Sequence, residues 1–373
     1  MNPIKIKYFN HLDALRLICF GFIFFRHGFF TNDRSIEQEF LKSWRKDYFS
    51  VSAVGLDFFS VLSSFLITWL ILKEYKLFDG FNLKNFYMRR ILRIWPLYFL
   101  ILAIAYIAIP FICHFTGYAT PQLPPAFWMI SFTTNYYAGY INEHFLFFLL
   151  FLWFIAVEEQ FYLVWGFLLK YFKKHLTIIS IIFIVSFLII KIFLGSPTFP
   201  AFYDTINYIP NFVIGAFFAR LSIEQNNLFS SLRMWTKTRW ILVYIVLLLV
   251  LVFYKPLFTG PMDHLKHIFL SVLFGLVIFE NTCIEKPLFN IGKYRFINYL
   301  GKISFGLYCW HGVAITIILK TMEAAGHKDN LWDVFLFYPL ISLSLTIILS
   351  IVSFELYEKR FLKLKQYFSA LEQ

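Results

Sequence analysis

The chain has 373 residues, of which 59% are hydrophobic and only 15% charged, with a formal net charge of +12 and a mean hydropathy of +0.66. A soluble globular domain carries roughly 25% charged residues, so this composition excludes a soluble protein and describes a polytopic membrane protein. The positive balance is what cytoplasmic loops rich in Lys and Arg produce, which leaves no argument for a nucleic-acid partner.

A hydrocarbon core takes about 20 apolar residues per helix. That length predicts an all-α fold of about ten transmembrane helices, roughly 11–30, 51–72, 93–112, 145–169, 176–194, 206–223, 240–254, 265–282, 297–319 and 334–354. Most Lys and Arg then fall in the N-terminal segment, 73–93, 170–174, 220–239, 286–302 and the tail. Charge bias of this kind sets orientation and places both termini in the cytoplasm. No fixed-period repeat and no fused soluble domain is read, so residues 1–373 are expected to form a single membrane domain.

The first helix reads "ALRLICFGFIFFRHGF" over residues 14–29. It lacks a small-residue cleavage site and contains Arg16, so it is read as a retained helix rather than a signal peptide. Ionisable groups inside a bilayer are usually functional or paired. Arg16 and His27 stand eleven residues apart, three turns plus about 20°, and so share one face some ~16 Å apart along the axis. Asp13 is placed to pair with Arg16, although an arginine at that depth is equally consistent with an interfacial residue.

"GLDFFSVLSSFLITWL" puts Asp57 at the outer start of the second helix, followed by Ser60, Ser63 and Ser64. The inner segment 84–96, "KNFYMRRILRIWP", carries Arg89, Arg90 and Arg93. Arg90 and Arg93 lie one helical turn apart, and guanidinium groups suit phosphate because their planar fork donates two hydrogen bonds at once. Two long outer segments follow from the same topology, 31–50 and 113–144, the second a candidate lid or cavity-lining loop. "LWFIAVEEQFYLVWG" sets Glu158, Glu159, Gln160 and Tyr162 mid-helix, with the two carboxylates pointing about 100° apart. "ISFGLYCWHG" sets Tyr308 and His311 in the ninth helix, with His311 at about the depth of His27. The cysteines Cys19, Cys113, Cys283 and Cys309 have no metal-ligand spacing, so neither a metal nor a disulfide is expected.

These blocks, in order, resemble the acyltransferase family 3 membrane proteins, the group that includes bacterial O-antigen and exopolysaccharide O-acetyltransferases. "LDALRLICFGFIFFRH" is similar to the family's first-helix pattern of a basic residue, ten others and a histidine. "GLDFFSVLSSFLIT", "FYMRRILRIWPLY", "WFIAVEEQFYLVWG", "ISFGLYCWH" and "FELYEKRFLK", in which Glu358 opens the final cytoplasmic stretch, follow as its later blocks. Departures include Ser64 where the family has Gly, Arg26 where an apolar residue is usual, and Phe154-Ile155 where Ser-Leu is usual.

The resemblance implies a multi-pass protein of the bacterial cytoplasmic (inner) membrane that takes a short acyl group, usually acetyl, from cytoplasmic acyl-CoA. The acceptor would be a hydroxyl of a cell-surface or lipid-linked glycan, with membrane lipid as the third partner. It implies His27 as the catalytic histidine, Arg16 as its basic partner in the motif, and Arg90 and Arg93 as the CoA-contacting pair, with Arg89 beside them. His27 is then the expected base, Glu158 its expected orienter and Asp57 the second choice. Tyr308, His311 and Arg26 are candidates to stabilise the oxyanion, with Glu159 and Tyr162 as further substrate or oxyanion candidates. Arg26 also suits an anionic acceptor or a succinyl carboxylate. The competing class is a transporter or glycan exporter without acyl-transfer chemistry, against which stands the lack of an inverted repeat.

Overall fold

The computed structural model describes residues 4–5, 9–31, 33–37, 41, 54–140, 147–193, 201–369 and 371–372. Most of the outer segment 31–50 and residues 141–144 of the segment 113–144 lie outside the described residues. So do the first residues of the expected helices 51–72 and 145–169, and the last of 176–194. The organising helices are α1 (Asn10–His27), α2 (Val54–Phe78), α3 (Leu83–Ala103), α4 (Trp153–Phe172), α5 (Leu176–Phe193), α6 (Ile209–Glu224), α7 (Lys237–Val252), α8 (Lys266–Cys283), α9 (Ser304–Ala324) and α10 (Tyr338–Ser353).

Among the described residues, seven helices are long and apolar enough to cross a membrane, or eight with the bent pair Asn227–Arg233 and Lys237–Val252. One of the seven is the run Phe148–Phe193, of 46 residues. Straight, it would reach about 69 Å at 1.5 Å per residue, more than twice a core of roughly 30 Å. Its contacts show it folding back. α4 runs with α2, Tyr162 meeting Ser63 at 2.5 Å and Trp165 donating to Thr68 at 2.8 Å. α5 runs against α6, with Thr177 beside Arg220 and Lys191 near Asp204. The two halves of that run are therefore separate antiparallel helices. α1 is less apolar than these because of the polar residues it carries, Asp13, Arg16 and Arg26 among them. A parallel bridge between Ile4–Lys5 and Leu371–Glu372 joins the two terminal segments at one end of the bundle.

Two boundaries differ from the sequence expectation in ways that move the site. α3 begins at Leu83 rather than 93, because the Asn82 side chain caps it by accepting from the Asn85 amide at 3.1 Å. Its arginines therefore stand on a helix, fixed in angle to one another, rather than on a loop. The expected span 297–319 breaks at Ile303 into Arg295–Lys302 and α9. The outer segment after α3 folds into the short helices Ala126–Ile130 and Thr134–Tyr140. Gln160 on α4 pins it, donating to the Phe132 carbonyl at 2.8 Å and to Asn135 at 3.0 Å.

Lipid cannot drive helices together as water does, so packing and interhelical hydrogen bonds carry the association, and small residues allow close approach. α5 shows the lipid side, with Ile178, Ile181, Ile182, Val185, Ile189 and Ile192 all exposed. Inside, α6 lies on α2 where Gly215 meets the backbone of Val61. A Cβ there would sit 2.3 Å from the Val61 carbonyl oxygen. Next to it, the Ser64 hydroxyl donates to the Phe212 carbonyl, so the serine that departs from the family's glycine ties the same two helices together. Gly215→Ala is predicted to destabilise the protein by about 1–3 kcal/mol through overpacking. A lower melting temperature in detergent checks this, and an unchanged one would show that α2 and α6 separate freely.

Candidate active site

α1 ends at His27, where the Gly28 amide donates to the Phe24 carbonyl at 2.7 Å. The chain leaving it is held by Thr31, which donates to Asp329, a carboxylate that also accepts from Tyr338 at 2.5 Å. This fixes the end of α1 against the loop between α9 and α10. There His27 Nδ1 lies 3.1 Å from His311 Nε2. His311 is fully buried, and its Nδ1 bonds the Tyr308 carbonyl one turn earlier. A carbonyl only accepts, so Nδ1 of His311 carries the hydrogen. With both rings neutral, His311 Nε2 accepts from His27 Nδ1–H, and the lone pair of His27 lies on Nε2. Phe151 packs on both rings, tilted at 4.1 Å from His27 and stacked at 4.8 Å from His311 between centroids. The equal depth read from the sequence is thus realised as a direct hydrogen bond between the two histidines.

Toward the end of the bundle that holds the termini lies a narrow cleft with a cavity volume of about 40 Å³. Arg16 enters from α1, Arg90 and Arg93 from α3, Ser63 from α2, Glu158 and Tyr162 from α4, and Ser304 from the start of α9. Arg16 is held by Asp13 at 2.7 Å. Arg90 Nε is buried without a hydrogen-bond partner among the described residues. The floor is a polar chain in which Tyr162 donates to Glu158 at 3.0 Å and its hydroxyl meets Ser63 at 2.5 Å.

Two helix faces connect the cleft to the histidines. On α1, Arg16, Phe20, Ile23 and His27 recur at helical spacing, and Phe20 packs edge-on against His311 at 6.2 Å. On α9, Ser304, Tyr308 and His311 stand at i, i+4 and i+7, again one face.

The remaining sequence candidates are placed elsewhere. Glu158, expected to orient His27, is hydrogen bonded by Tyr162 because its side of α4 faces Ser63 and the arginines, and the ring on His27 is His311. Asp57 accepts from Asn211 at 2.7 Å and bonds His267 at 2.8 Å, which commits it to the junction of α2, α6 and α8. Glu159 points to the other side of α4 and accepts from Trp95 at 3.1 Å. The Tyr308 hydroxyl donates to the Phe151 carbonyl, and so holds the ring that packs on both histidines. Arg26 lies over the Phe202 ring at 4.8 Å. Arg89 turns away from the cleft, paired with Glu74 at 2.8 Å and donating to the Phe368 carbonyl at 2.7 Å. His267, the partner of Asp57, was not singled out in the sequence, where nothing in its spacing marks it.

His311→Phe keeps a ring against Phe151 and Phe20 but removes the acceptor for His27 Nδ1–H. We predict that any reaction using His27 Nε2 as base slows on the order of 10²-fold, less than loss of the base itself. Transfer assays at matched expression test it, and an undiminished rate would show that the histidine pair sets no tautomer.

The fold and this site define a multi-pass membrane protein with a histidine pair above an arginine-lined cleft. The chain belongs to acyltransferase family 3, whose acyltransferase domain model matches residues 9–354. It is similar to the peptidoglycan O-acetyltransferase OatA of Listeria monocytogenes, 24% identical over 351 residues, which cover 85% of this chain and 51% of that protein. YrhL of Bacillus subtilis, assigned provisionally to the same activity, is 25% identical over 334 residues, 82% of this chain and 50% of its own. An uncharacterized protein of Haemophilus influenzae is 32% identical over 164 residues, 42% of this chain and 65% of that protein. The chain thus spans about half the length of the first two relatives. No solved structure matches it.

Proposed function

We propose that this protein is a membrane O-acyltransferase that moves a short acyl group, acetyl first among the candidates, from acyl-CoA to a glycan hydroxyl. The observation that carries the reading is the pairing of the two ends of α1. Arg16 opens into a cleft with Arg90, Arg93 and an unpartnered buried guanidinium nitrogen, while His27 meets His311 at the other end. In this reading the arginines hold the phosphates of the donor, which enters from the cytoplasmic side. Its flexible arm follows the faces of α1 and α9 toward His27.

His27 Nε2 takes the proton of the acceptor hydroxyl as its oxygen attacks the thioester carbonyl. The C–S bond then breaks, and the departing thiolate takes the proton back from the imidazolium, so the histidine is regenerated. His311 positions the ring. Arg26, beside His27, suits an oxyanion, an anionic acceptor or a succinyl carboxylate. Glu158 and Tyr162 line the donor's route. The inner membrane of a bacterium suits such an enzyme, with donor on one side and glycan on the other, and the acceptors named for OatA and YrhL support a glycan as acceptor.

The test is reconstitution in liposomes with labelled acetyl-CoA and a lipid-linked oligosaccharide. Free CoA thiol and an alkali-labile ester on the sugar, formed in equal amounts, are expected. Movement of the oligosaccharide across the bilayer without ester formation would replace the enzyme with an exporter.

A further inference from the structure

The end of the bundle that holds His27 carries a second oriented histidine, which the mechanism above does not use. α8 begins at that end, because its far end leads to the turn Ile291–Lys293, where Gly292 packs on His11 at the opposite end of α1. His267, the second residue of α8, places Nδ1 2.8 Å from the Asp57 carboxylate. Asp57 also accepts from the Asn211 amide at 2.7 Å, and Ser271 donates to the Asn211 carbonyl oxygen at 2.6 Å. Asn211 and Ser271 are fully buried and Asp57 nearly so. Three helices thus converge to set the angle of one imidazole.

A carboxylate only accepts, so His267 Nδ1 carries the hydrogen, and in the neutral ring the lone pair lies on Nε2. That nitrogen has no hydrogen-bond partner among the described residues, and the side chain keeps 14% of its surface exposed. A network that served only to join α2, α6 and α8 could end at Asn211 and Asp57. This one continues to a part-exposed ring and leaves an acceptor nitrogen open.

Packed aromatics fix the distance from this ring to the candidate base. Tyr208 lies 6.1 Å from His267 and 6.1 Å from Trp153 between ring centroids. Trp153 lies 4.8 Å from Phe202, over which the Arg26 guanidinium sits at 4.8 Å. Phe151, two residues before Trp153, packs on His27. A wall of rings with a few fixed polar groups is the usual make-up of a small-molecule site. An oligosaccharide extends well beyond the hydroxyl that reacts, so a hydrogen bond to a remote part of it helps to hold that hydroxyl in place.

We propose that His267, oriented by Asp57, is an acceptor-binding residue, its Nε2 accepting a hydrogen bond from a glycan hydroxyl other than the one that reacts at His27. This rests on the reading of the acceptor as a glycan and deepens it. It also gives Asp57 a role in orienting a histidine, though not the catalytic one.

The experiment measures initial rates in liposomes at saturating acetyl-CoA with the lipid-linked oligosaccharide varied, for the parent, His267→Asn and His267→Gln, with melting temperatures in parallel. An asparagine amide can stand where Nδ1–H stands and keep the bond to Asp57, but it puts nothing in place of Nε2. His267→Asn is therefore expected to raise the acceptor KM about 10-fold, the cost of one lost hydrogen bond. Its kcat, acetyl-CoA affinity and melting temperature should stay close to the parent, the pattern of lost uniform binding. His267→Gln reaches the Nε2 position but gives up Asp57, so it should recover part of the acceptor KM and melt lower. A merely structural histidine would give the reverse ranking, with asparagine harmless and glutamine damaging. An acceptor KM for His267→Asn within about twofold of the parent overturns this inference and leaves the glycan reading standing. So does a rise in KM that comes only with a lower melting temperature. A parent that forms no ester on the oligosaccharide overturns both.

Discussion

Alanine at position 27 is expected to slow acyl transfer about 10²- to 10⁴-fold, the usual cost of removing a general base, while donor binding stays intact. The separation of the two effects follows from the geometry of α1. Arg16 and His27 share a face but stand ~16 Å apart along the axis, and the cleft is lined by Arg16 and not by His27. The side chain lost is small and half-buried, and it packs on Phe151 rather than forming a helix–helix seam. The variant should therefore fold, melt near the parent and titrate acetyl-CoA normally. Its loss should appear in the rate at saturating donor rather than in the donor concentration required. Folded, membrane-inserted His27→Ala with undiminished transfer would remove His27 from the chemistry and leave His311 as the nearest replacement base. His27→Gln sharpens the result, since it keeps polarity and approximate volume but has no ring nitrogen to cycle a proton.

The backbone of this architecture was legible because bilayer thickness sets helix length, and the mid-helix polar residues were conspicuous against an apolar background. Periodicity also gave the relation between Arg16 and His27, since eleven residues of helix leave little choice of face. It gave the similar depth of His311 for the same reason. Partner choice across helices was not available. Glu158 was matched to His27 by charge and depth alone, but the face of α4 that carries it turns to Ser63 on α2. Asp57 was weighed as an orienter with no way to know that His267, 210 residues later, closes on it. The tail was unreadable for another reason: positive residues are the rule there, and only the fold brings Phe368 against Arg89 of α3. The three arginine candidates of α3 show the limit most plainly. Arg89 and Arg90 are adjacent, so on a helix they diverge by about 100°. That signal was present, but it became decisive only once the segment proved to be helix from Leu83 onward.

Those two neighbours provide the last prediction, because their replacement should fail in different ways. Arg90→Ala/Arg93→Ala is expected to weaken acetyl-CoA binding about 10²- to 10⁴-fold. A hydrogen bond to a charged group contributes about 1.5–3 kcal/mol, and each 1.4 kcal/mol is tenfold in affinity. Both side chains are only partly enclosed, which puts the expected loss toward the lower end. Arg90 Nε is without a hydrogen-bond partner among the described residues, so Arg90→Ala alone orphans no acceptor at that nitrogen. Arg89→Ala is the contrasting case. It strands Glu74, only 5% exposed, as a buried carboxylate without its cation, a change that typically costs about 3–5 kcal/mol. It also frees the Phe368 carbonyl, and with it the turn Lys365–Phe368. Arg89→Ala should therefore show up first as lower yield and lower melting temperature. If the double variant binds acetyl-CoA like the parent while remaining folded, the cleft is not the donor site. If Arg89→Ala is as stable as the parent, the pairing that holds the turn against α3 is not what positions it.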